Sequence, residues 1–586
     1  MPVARVVFFL VQEVALCSAA ETVQQLHARI PMRDGVRLAA NIFRPGTPAR
    51  VPSVLVRTPY GKGEAIGVHY QTFVDHGYAI VAQDVRGRYE SEGVFAPLRQ
   101  EPADGDDTLN WIAKQPWSDG NIGMMGGSYL GICQWKAATL NNPHLKAIFP
   151  AFCGDDDYRD RFYSTGGAMK LGSRLLWISQ NLRAPEYRPP DFSSFIWTLP
   201  LRRADIVTTG AQSEMYREAL DHPADDAFWQ SMSTRRKLGN VRVPVFSVGG
   251  WYDNFVESDL DAFAILNKKK DRNRILIGPW PHNMSVRLTG GNFGPNWLVP
   301  LRKTQIEWFD RWLKNGLKSK DAALDSKPPV RIFVMGANIW RDEREWPLRR
   351  ARAVRFYLAT GVLALKPAER SAPDHFVYDP RNPVPTAGGA VCCDPKIFPW
   401  GPMDQRAVEK RRDVLVYTTP PLREDLEVTG PIRVVLYAST SAVDTDFTAK
   451  LVDVLPGRLA RNLTDGILRA RYRDSLESPA LLEPGKIYKL MIDGGVTSNV
   501  FRQGHGLRLE ISSSNFPRFD RNLNTGGPIA DGTEMRKAAQ TVFHDRAHPS
   551  YILLPVVPDS HSAPSQSLTS TRPARYFPDR SSTRAR

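Results

Sequence analysis

Ser128 lies in Gly126-Gly127-Ser128-Tyr129-Leu130-Gly131, between a short apolar run, Asn121 to Met125, and a helix-forming run, Ile132 to Leu140. A serine on a tight, glycine-flanked turn from strand to helix presents its hydroxyl outward. The helix N-terminus behind it favours negative charge. Such a serine could act as a nucleophile. The usual spacing puts glycine two residues after the serine; here Leu130 holds that place and Gly131 follows. Taken alone, the motif fits a nucleophile elbow and a plain glycine-rich turn about equally.

A serine hydroxyl attacks only when an imidazole takes its proton, and the imidazole needs a carboxylate to fix its tautomer. In a parallel sheet these partners follow the nucleophile in the order serine, acid, histidine, on loops at the carboxyl ends of later strands. His144 precedes a strand, His222 falls in a helical stretch, His375, His505, His544 and His548 lie in a strand-rich region, and His561 lies in the tail. His282, in Gly278-Pro279-Trp280-Pro281-His282, directly follows an apolar strand and meets the requirement. Asp253, in Gly249-Gly250-Trp251-Tyr252-Asp253, ends the strand before it. Asp259 and Asp261 read as the solvated face of the next helix. Asp84 precedes the serine, and Asp84-Val85-Arg86-Gly87-Arg88 reads as a structural loop with an internal ion pair. The tetrahedral oxyanion needs donors. The Tyr129 amide is one. The loop Arg57-Thr58-Pro59-Tyr60 supplies another only through a side chain, because Pro59 has no N–H. The Tyr60 phenol is such a donor, or else an ordinary packed tyrosine.

The elements that must position these residues follow from periodicity. Val36 to Phe43, Ser53 to Thr58, Tyr78 to Asp84 and Leu145 to Pro150 read as strands, and Pro102 to Ala113 as a helix. Apolar strands alternating with helices imply a mostly parallel sheet covered on both faces. Tyr158 to Leu238 reads as a helical insertion with Trp177, Trp197 and Trp229. Alternation then returns with Val243 to Gly250, the helix Glu257 to Leu266, the strand Arg274 to Gly278 and the amphipathic helix Gln305 to Lys314. Asp321 to Pro329 reads as a linker. Beyond it come short strands at Val330 to Val334, Val354 to Ala359, Val414 to Thr418, Ile432 to Ala438, Phe447 to Val454, Ile487 to Ile492, Leu507 to Ser512 and Ile552 to Val557. That spacing suggests a two-sheet β-sandwich or jelly roll. The boundaries drawn are 1–22 for an N-terminal extension, 23–150 and 241–325 for two parts of an α/β domain, 151–240 for the helical insertion, 326–557 for the β domain and 558–586 for a disordered tail.

A chain of 586 residues, 42% apolar, with 14 Trp and 26 Phe, is large enough for several cores. Its net charge of +15 is scattered, with clusters at Lys268-Lys269-Lys270-Asp271-Arg272 and in the tail, and no nucleic-acid motif accompanies it. Five cysteines do not make a disulfide scaffold; Cys392-Cys393 lack the neighbours of a zinc site, and reduced thiols of a cytoplasmic protein are expected. The N-terminus resembles a signal peptide, but Gln12 and Glu13 interrupt its apolar core, so a cytoplasmic location is favoured and a periplasmic or secreted one left open. No apolar run is long enough for a membrane span.

The chain resembles the cocaine-esterase-like (CocE/NonD) serine hydrolases, relatives of Xaa-Pro dipeptidyl-peptidases, α-amino-acid ester hydrolases and glutaryl cephalosporin acylases. The resemblance runs from about Arg29 to Val556. It rests on Pro31-Met32-Arg33-Asp34-Gly35-Val36-Arg37-Leu38, Arg57-Thr58-Pro59-Tyr60, Gly126-Gly127-Ser128-Tyr129-Leu130-Gly131-Ile132, Gly250-Trp251-Tyr252-Asp253 and Gly278-Pro279-Trp280-Pro281-His282. Asp444-Thr445-Asp446-Phe447-Thr448-Ala449-Lys450-Leu451 and Ser512-Ser513-Ser514-Asn515-Phe516-Pro517 extend it. The family elbow is G-x-S-Y-x-G, which accounts for Leu130. The resemblance implies a catalytic triad of Ser128, Asp253 and His282, with Tyr60 as an oxyanion donor. It implies an α/β-hydrolase domain with an inserted helical cap and a C-terminal jelly roll, and an acyl pocket that Trp177 and Phe255 would line. Phe162 stands where a close relative has tryptophan. The carboxylates with which amino-acid ester hydrolases hold an ammonium group are incomplete here: Asn254-Phe255-Val256 follow Asp253, and Asp155-Asp156-Asp157 could supply charge or start a helix. The expectation is a serine hydrolase of a small-molecule ester or amide, needing no metal or organic cofactor and no nucleic acid, with a homodimer left open. An Xaa-Pro dipeptidyl-peptidase is the alternative among enzymes. A non-catalytic carbohydrate- or surface-binding protein is the alternative outside them.

Overall fold

The structure, a computed structural model, describes residues 21–268, 272–284, 290–314, 326–457 and 459–558. Most of the N-terminal extension and of the tail, part of the 321–329 linker, Cys17 and the centre of the 268–272 basic cluster lie outside the described residues.

The first half of the chain builds a ten-stranded sheet. Its strands are β1 (Thr22–Pro31), β2 (Arg37–Pro45), β3 (Val51–Thr58), β4 (Ala79–Asp84), β5 (Ser118–Gly127), β6 (Leu145–Ala151), β7 (Phe246–Gly250), β8 (Arg274–Gly278), β9 (Val330–Val334) and β10 (Ile339–Glu343). The spatial order is β1-β2-β4-β3-β5-β6-β7-β8-β9-β10. From β4 across to β9 the pairings are parallel, and antiparallel pairs close both edges. Every residue of β3, β4, β7 and β8 is buried, as continuous apolar runs require when helices cover both faces. The covering helices include α1 (Val68–Asp75), α2 (Glu101–Ala113) and α3 (Tyr129–Ala138).

One expectation is corrected here. Val330 to Val334 forms the strand read from the sequence, but it does not begin the second β region. It pairs in parallel with β8, Ile275 opposite Val330 and Ile277 opposite Ile332, and so extends the first sheet. Trp251, at the end of β7, donates its indole N–H to the Phe333 carbonyl at 2.7 Å and secures the new strand from above.

Between β6 and β7 the chain forms helices, including α4 (Leu171–Asn181), Ala204–Thr209, Glu214–Asp221 and Ala227–Met232. Their packing has an aromatic centre. Trp229 is buried against Phe162, Tyr158 and Tyr163, at ring distances of 5.1, 5.9 and 6.3 Å.

The remaining strands form an eleven-stranded sheet, antiparallel except for one parallel pairing between Val362 and Thr418. Its spine is Leu426–Thr440 paired with Tyr488–Phe501. Val428, Ile432, Val434, Leu490, Ile492, Leu509 and Ile511 fill its interior, and this cluster continues into Trp251, Ile275, Ile277 and Ile332 of the first sheet. One apolar cluster therefore spans both halves of the fold. The Cys392 and Cys393 side chains are joined as a vicinal disulfide, which corrects the expectation of reduced thiols throughout; Cys133 and Cys153 are free and buried.

Arg469, in the strand Ala460–Arg469, is buried and holds Asp446 and Asp520, each at 2.9 Å. Burial pushes the Asp446 carboxyl up to about 6 despite this cation. Arg469→Met would leave both carboxylates without their partner. It is expected to destabilise the protein by about 3–5 kcal/mol, read as a lowered denaturant midpoint; an unchanged midpoint would contradict the role given to this pairing.

Candidate active site

Three parallel strands deliver the expected residues to one edge of the sheet. Ser128 follows β5, Asp253 follows β7 and His282 follows β8. The Ser128 hydroxyl lies 3.0 Å from His282 Nε2, and His282 Nδ1 lies 2.8 Å from Asp253 Oδ1. A neutral imidazole protonated on Nδ1 satisfies both contacts: Nδ1–H donates to the carboxylate, and Nε2 accepts from the hydroxyl. Asp253 is fully buried, and its Oδ2 accepts no hydrogen bond among the described residues.

The turn that presents Ser128 is strained. Its φ of 57° and ψ of −126° put a residue with a side chain where L-residues are rarely found. The surroundings impose it. The Ser128 amide donates to the Ala151 carbonyl at 2.9 Å, and its own carbonyl accepts from Gly131 and Ile132. Gly126 has φ +135°, and a β-carbon there would come within 2.5 Å of the Leu130 β-carbon. One at Gly131 would meet the Cys153 sulfur at 2.6 Å. These glycines allow helix and strand to approach closely enough to force the turn.

Tyr129 is the first residue of α3, so its amide lacks an intrahelical acceptor and faces the turn. Its phenol points the other way, donating to Glu101 at 2.8 Å and accepting the Leu98 amide at 3.0 Å. Glu101 in turn pairs with the fully buried Arg57 at 2.7 Å. Arg57 is the penultimate residue of β3, three before Tyr60, so this ion pair ties the strand that leads to Tyr60 to the start of α2 and, through the Tyr129 phenol, to the start of α3.

The Tyr60 hydroxyl accepts the indole N–H of Trp177 at 3.2 Å. An oxygen used as acceptor still has its own proton to give. Burial of the hydroxyl pushes its pKa up, against hydrogen bonding to Trp177 and Ser128, so that proton is retained around neutral pH. Trp177 also stacks on Tyr129, with ring centroids 6.4 Å apart and planes within 11°. Phe255 packs on His282 at 5.5 Å. Phe162 is placed differently: it is buried behind the Arg174 guanidinium, which lies 5.3 Å above its ring.

Other expectations need correction. Asp259 is buried, not solvated. It accepts the Gly154 amide at 3.0 Å, and burial together with the nearby Asp253 charge pushes its carboxyl well up. Asp84 does not pair within its own loop; Lys62 lies 3.6 Å from it, while Arg86 pairs with Asp104 and Asp34. The run Asp155-Asp156-Asp157 is spent on structure. Asp155 binds Arg235, Asp156 caps the turn that starts at Asp157, and Asp157 meets Lys136 and Arg161. Sequence reasoning missed Phe152, Arg57, Glu101 and Arg174. Phe152, with φ 50°, directly follows β6 and packs 6.2 Å from the His282 ring. Its place directly after an apolar strand was the one available signal.

Glu101→Ala would leave the buried Arg57 with Asp104, at 3.7 Å, as its remaining carboxylate and would free the Tyr129 phenol. The expected cost is about 3–5 kcal/mol, measured as a lower urea midpoint; a change within experimental error would show that the pair does not hold the turn.

Comparison with known proteins places the chain in a family. Residues 34–284 match the family described as X-Pro dipeptidyl-peptidase (S15 family), and residues 322–553 match its C-terminal non-catalytic domain. The chain is 40% identical over 569 residues to the cocaine esterase of Rhodococcus sp. (strain MB1 Bresler), covering 90% of this chain and 97% of that protein. A solved α-amino acid ester hydrolase superposes with a TM-score of 0.80 at 28% identity, over 93% of this chain and 98% of that one. A CocE/NonD family hydrolase from Staphylococcus aureus shares the fold, with a TM-score of 0.68 at 20% identity over 92% of this chain and 94% of that one. The chain belongs to the cocaine-esterase-like (CocE/NonD) serine hydrolases of the S15 family.

Proposed function

We propose that Ser128, His282 and Asp253 carry out acyl transfer to water, with Tyr60 and the Tyr129 amide as oxyanion donors. The observation that carries this reading is the continuous hydrogen-bonded series from hydroxyl to imidazole to buried carboxylate, at 3.0 and 2.8 Å. Ser128 Oγ bonds to the ester carbonyl carbon while its proton passes to His282 Nε2. The carbonyl oxygen becomes an alkoxide between the Tyr60 hydroxyl and the Tyr129 N–H, where prearranged donors cost no reorganisation. Asp253 stabilises the imidazolium. His282 then protonates the departing alcohol or amine, and a water molecule repeats the sequence to release the acid and restore Ser128. Every group in this scheme comes from one chain, so a homodimer is not required by it.

The helices between β6 and β7 serve in this reading as a cap, because Trp177 on α4 reaches Tyr60 and Tyr129 at the mouth of the site. The second sheet corresponds to a jelly roll, with the boundary of the hydrolase domain moved past β10. The substrates are small esters or activated amides. The alternative, removal of an N-terminal X-Pro unit, needs an anionic subsite for a free amine. The best candidates for it, Asp155 to Asp157, are all engaged in structural pairs or caps.

Ser128→Ala should abolish both ester turnover and covalent labelling by a fluorophosphonate while leaving the far-ultraviolet circular dichroism unchanged; retained esterase activity would refute the assignment. Tyr60→Phe should lower kcat on the order of 10²–10³, and a rate within a few-fold of wild type would reduce Tyr60 to packing.

A further inference from the structure

Arg174 stands on α4, one turn before Trp177, and is 7% exposed. Its guanidinium carbon lies 5.3 Å from the centre of the Phe162 ring and 5.8 Å from that of Trp177. The Nε atom is buried without a hydrogen-bond partner among the described residues. Burial and the neighbouring Arg161 lower its pKa to about 10, Tyr60 opposes them, and no carboxylate contributes. Arg521 also lies over two rings, Trp197 and Phe516, but it donates to the Pro380 and Trp197 carbonyls, and four other interior arginines meet carboxylates. Arg57 meets Glu101, Arg161 meets Asp157, Arg235 meets Asp155 and Arg469 meets two aspartates. Nearby Lys170 is satisfied as well, donating to the Asp160 and Asn254 carbonyls.

A buried cation with only ring faces for company is costly. The aromatic quadrupoles recover part of that cost, and an anion would recover far more. The position of this cation matters. It interacts with Tyr60, whose hydroxyl meets Ser128, and it shares its helix with Trp177, so it lies beside the candidate site. A guanidinium binds a carboxylate through two parallel N–H donors, which fixes orientation as well as charge.

We infer that Arg174 is a specificity-determining residue that binds a carboxylate on the acyl part of the substrate, so that this hydrolase takes half-esters or half-amides of short dicarboxylic acids. The inference deepens the proposed function and rests on Ser128 as nucleophile. It also fits the engagement of Asp155 to Asp157 in structural pairs and a cap, which leaves them unavailable to hold an amine.

The test compares phenyl hydrogen glutarate and phenyl hydrogen adipate with the length-matched neutral esters phenyl pentanoate and phenyl hexanoate. The reading is the ratio of kcat/KM within each enzyme. For at least one chain length wild type should favour the half-ester, and Arg174→Met should lower that ratio at least tenfold, with Arg174→Lys between the two. A wild-type ratio at or below one for both lengths, or a ratio that falls less than tenfold in Arg174→Met, overturns the inference. If the Met variant does not fold, wild type alone decides: free glutarate or adipate should compete with phenyl pentanoate more strongly than pentanoate does, and equal or weaker competition overturns it. Failure of the underlying reading looks different, because neither class of ester would then be turned over in a manner lost with Ser128→Ala.

Discussion

The backbone of Ser128 is the constraint on which the rest depends. A residue with a β-carbon held at φ 57° costs on the order of 1–3 kcal/mol, and the sheet and α3 must supply it. They do so through close approach. Gly126 and Gly131 let α3 sit against the end of β5, and the Ala151 carbonyl at the end of β6 fixes the Ser128 amide. Once the turn is set, the hydroxyl points at a place that the ends of β7 and β8 can reach from the same edge. The alignment of serine, imidazole and carboxylate follows from strand order.

Charges inside the molecule follow a second rule: nearly every one is answered. Arg57 and Glu101 join the end of β3 to the start of α2 and, through the Tyr129 phenol, to the start of α3, and thereby connect the two candidate oxyanion donors, Tyr60 and Tyr129. The Tyr60 loop is held again where Arg88 donates to the Pro59 carbonyl at 3.1 Å. Asp259, beside Asp253, is pushed toward its neutral form by burial and by that neighbouring charge. Against this background Arg174, packed between the Phe162 and Trp177 rings near Tyr60, is conspicuous.

Much of this was legible from residue order. The central strands were visible because strands buried on both faces must be continuously apolar. The convergence of Ser128, Asp253 and His282 was legible because strand ends and chain order leave few histidines in a usable place. Edges and polar interiors were not. β1, with the exposed run Gln24 to His27, carries no apolar alternation there. The strand Ala460–Arg469 contains Asn462, Asp465 and Arg469, polar residues buried through pairings that lie far apart in sequence. For the same reason Asp259 read as surface and Arg174 did not stand out. Whether a charge on a helix meets water or a partner is decided by what packs against it, and local periodicity does not encode that. β9 was read correctly as a strand and assigned to the wrong sheet, since pairing is a long-range choice.

That assignment bears on how such a chain can be divided. If the hydrolase half ended at the linker, β8 would become an open edge, with the backbone of Ile275 and Ile277 unpaired and the Trp251 indole deprived of its acceptor. An exchange of the two halves between relatives would have to cut beyond Glu343. A recombination point near residue 326 would separate strands that hydrogen-bond to each other, and the fragments would be prone to pair with foreign strands.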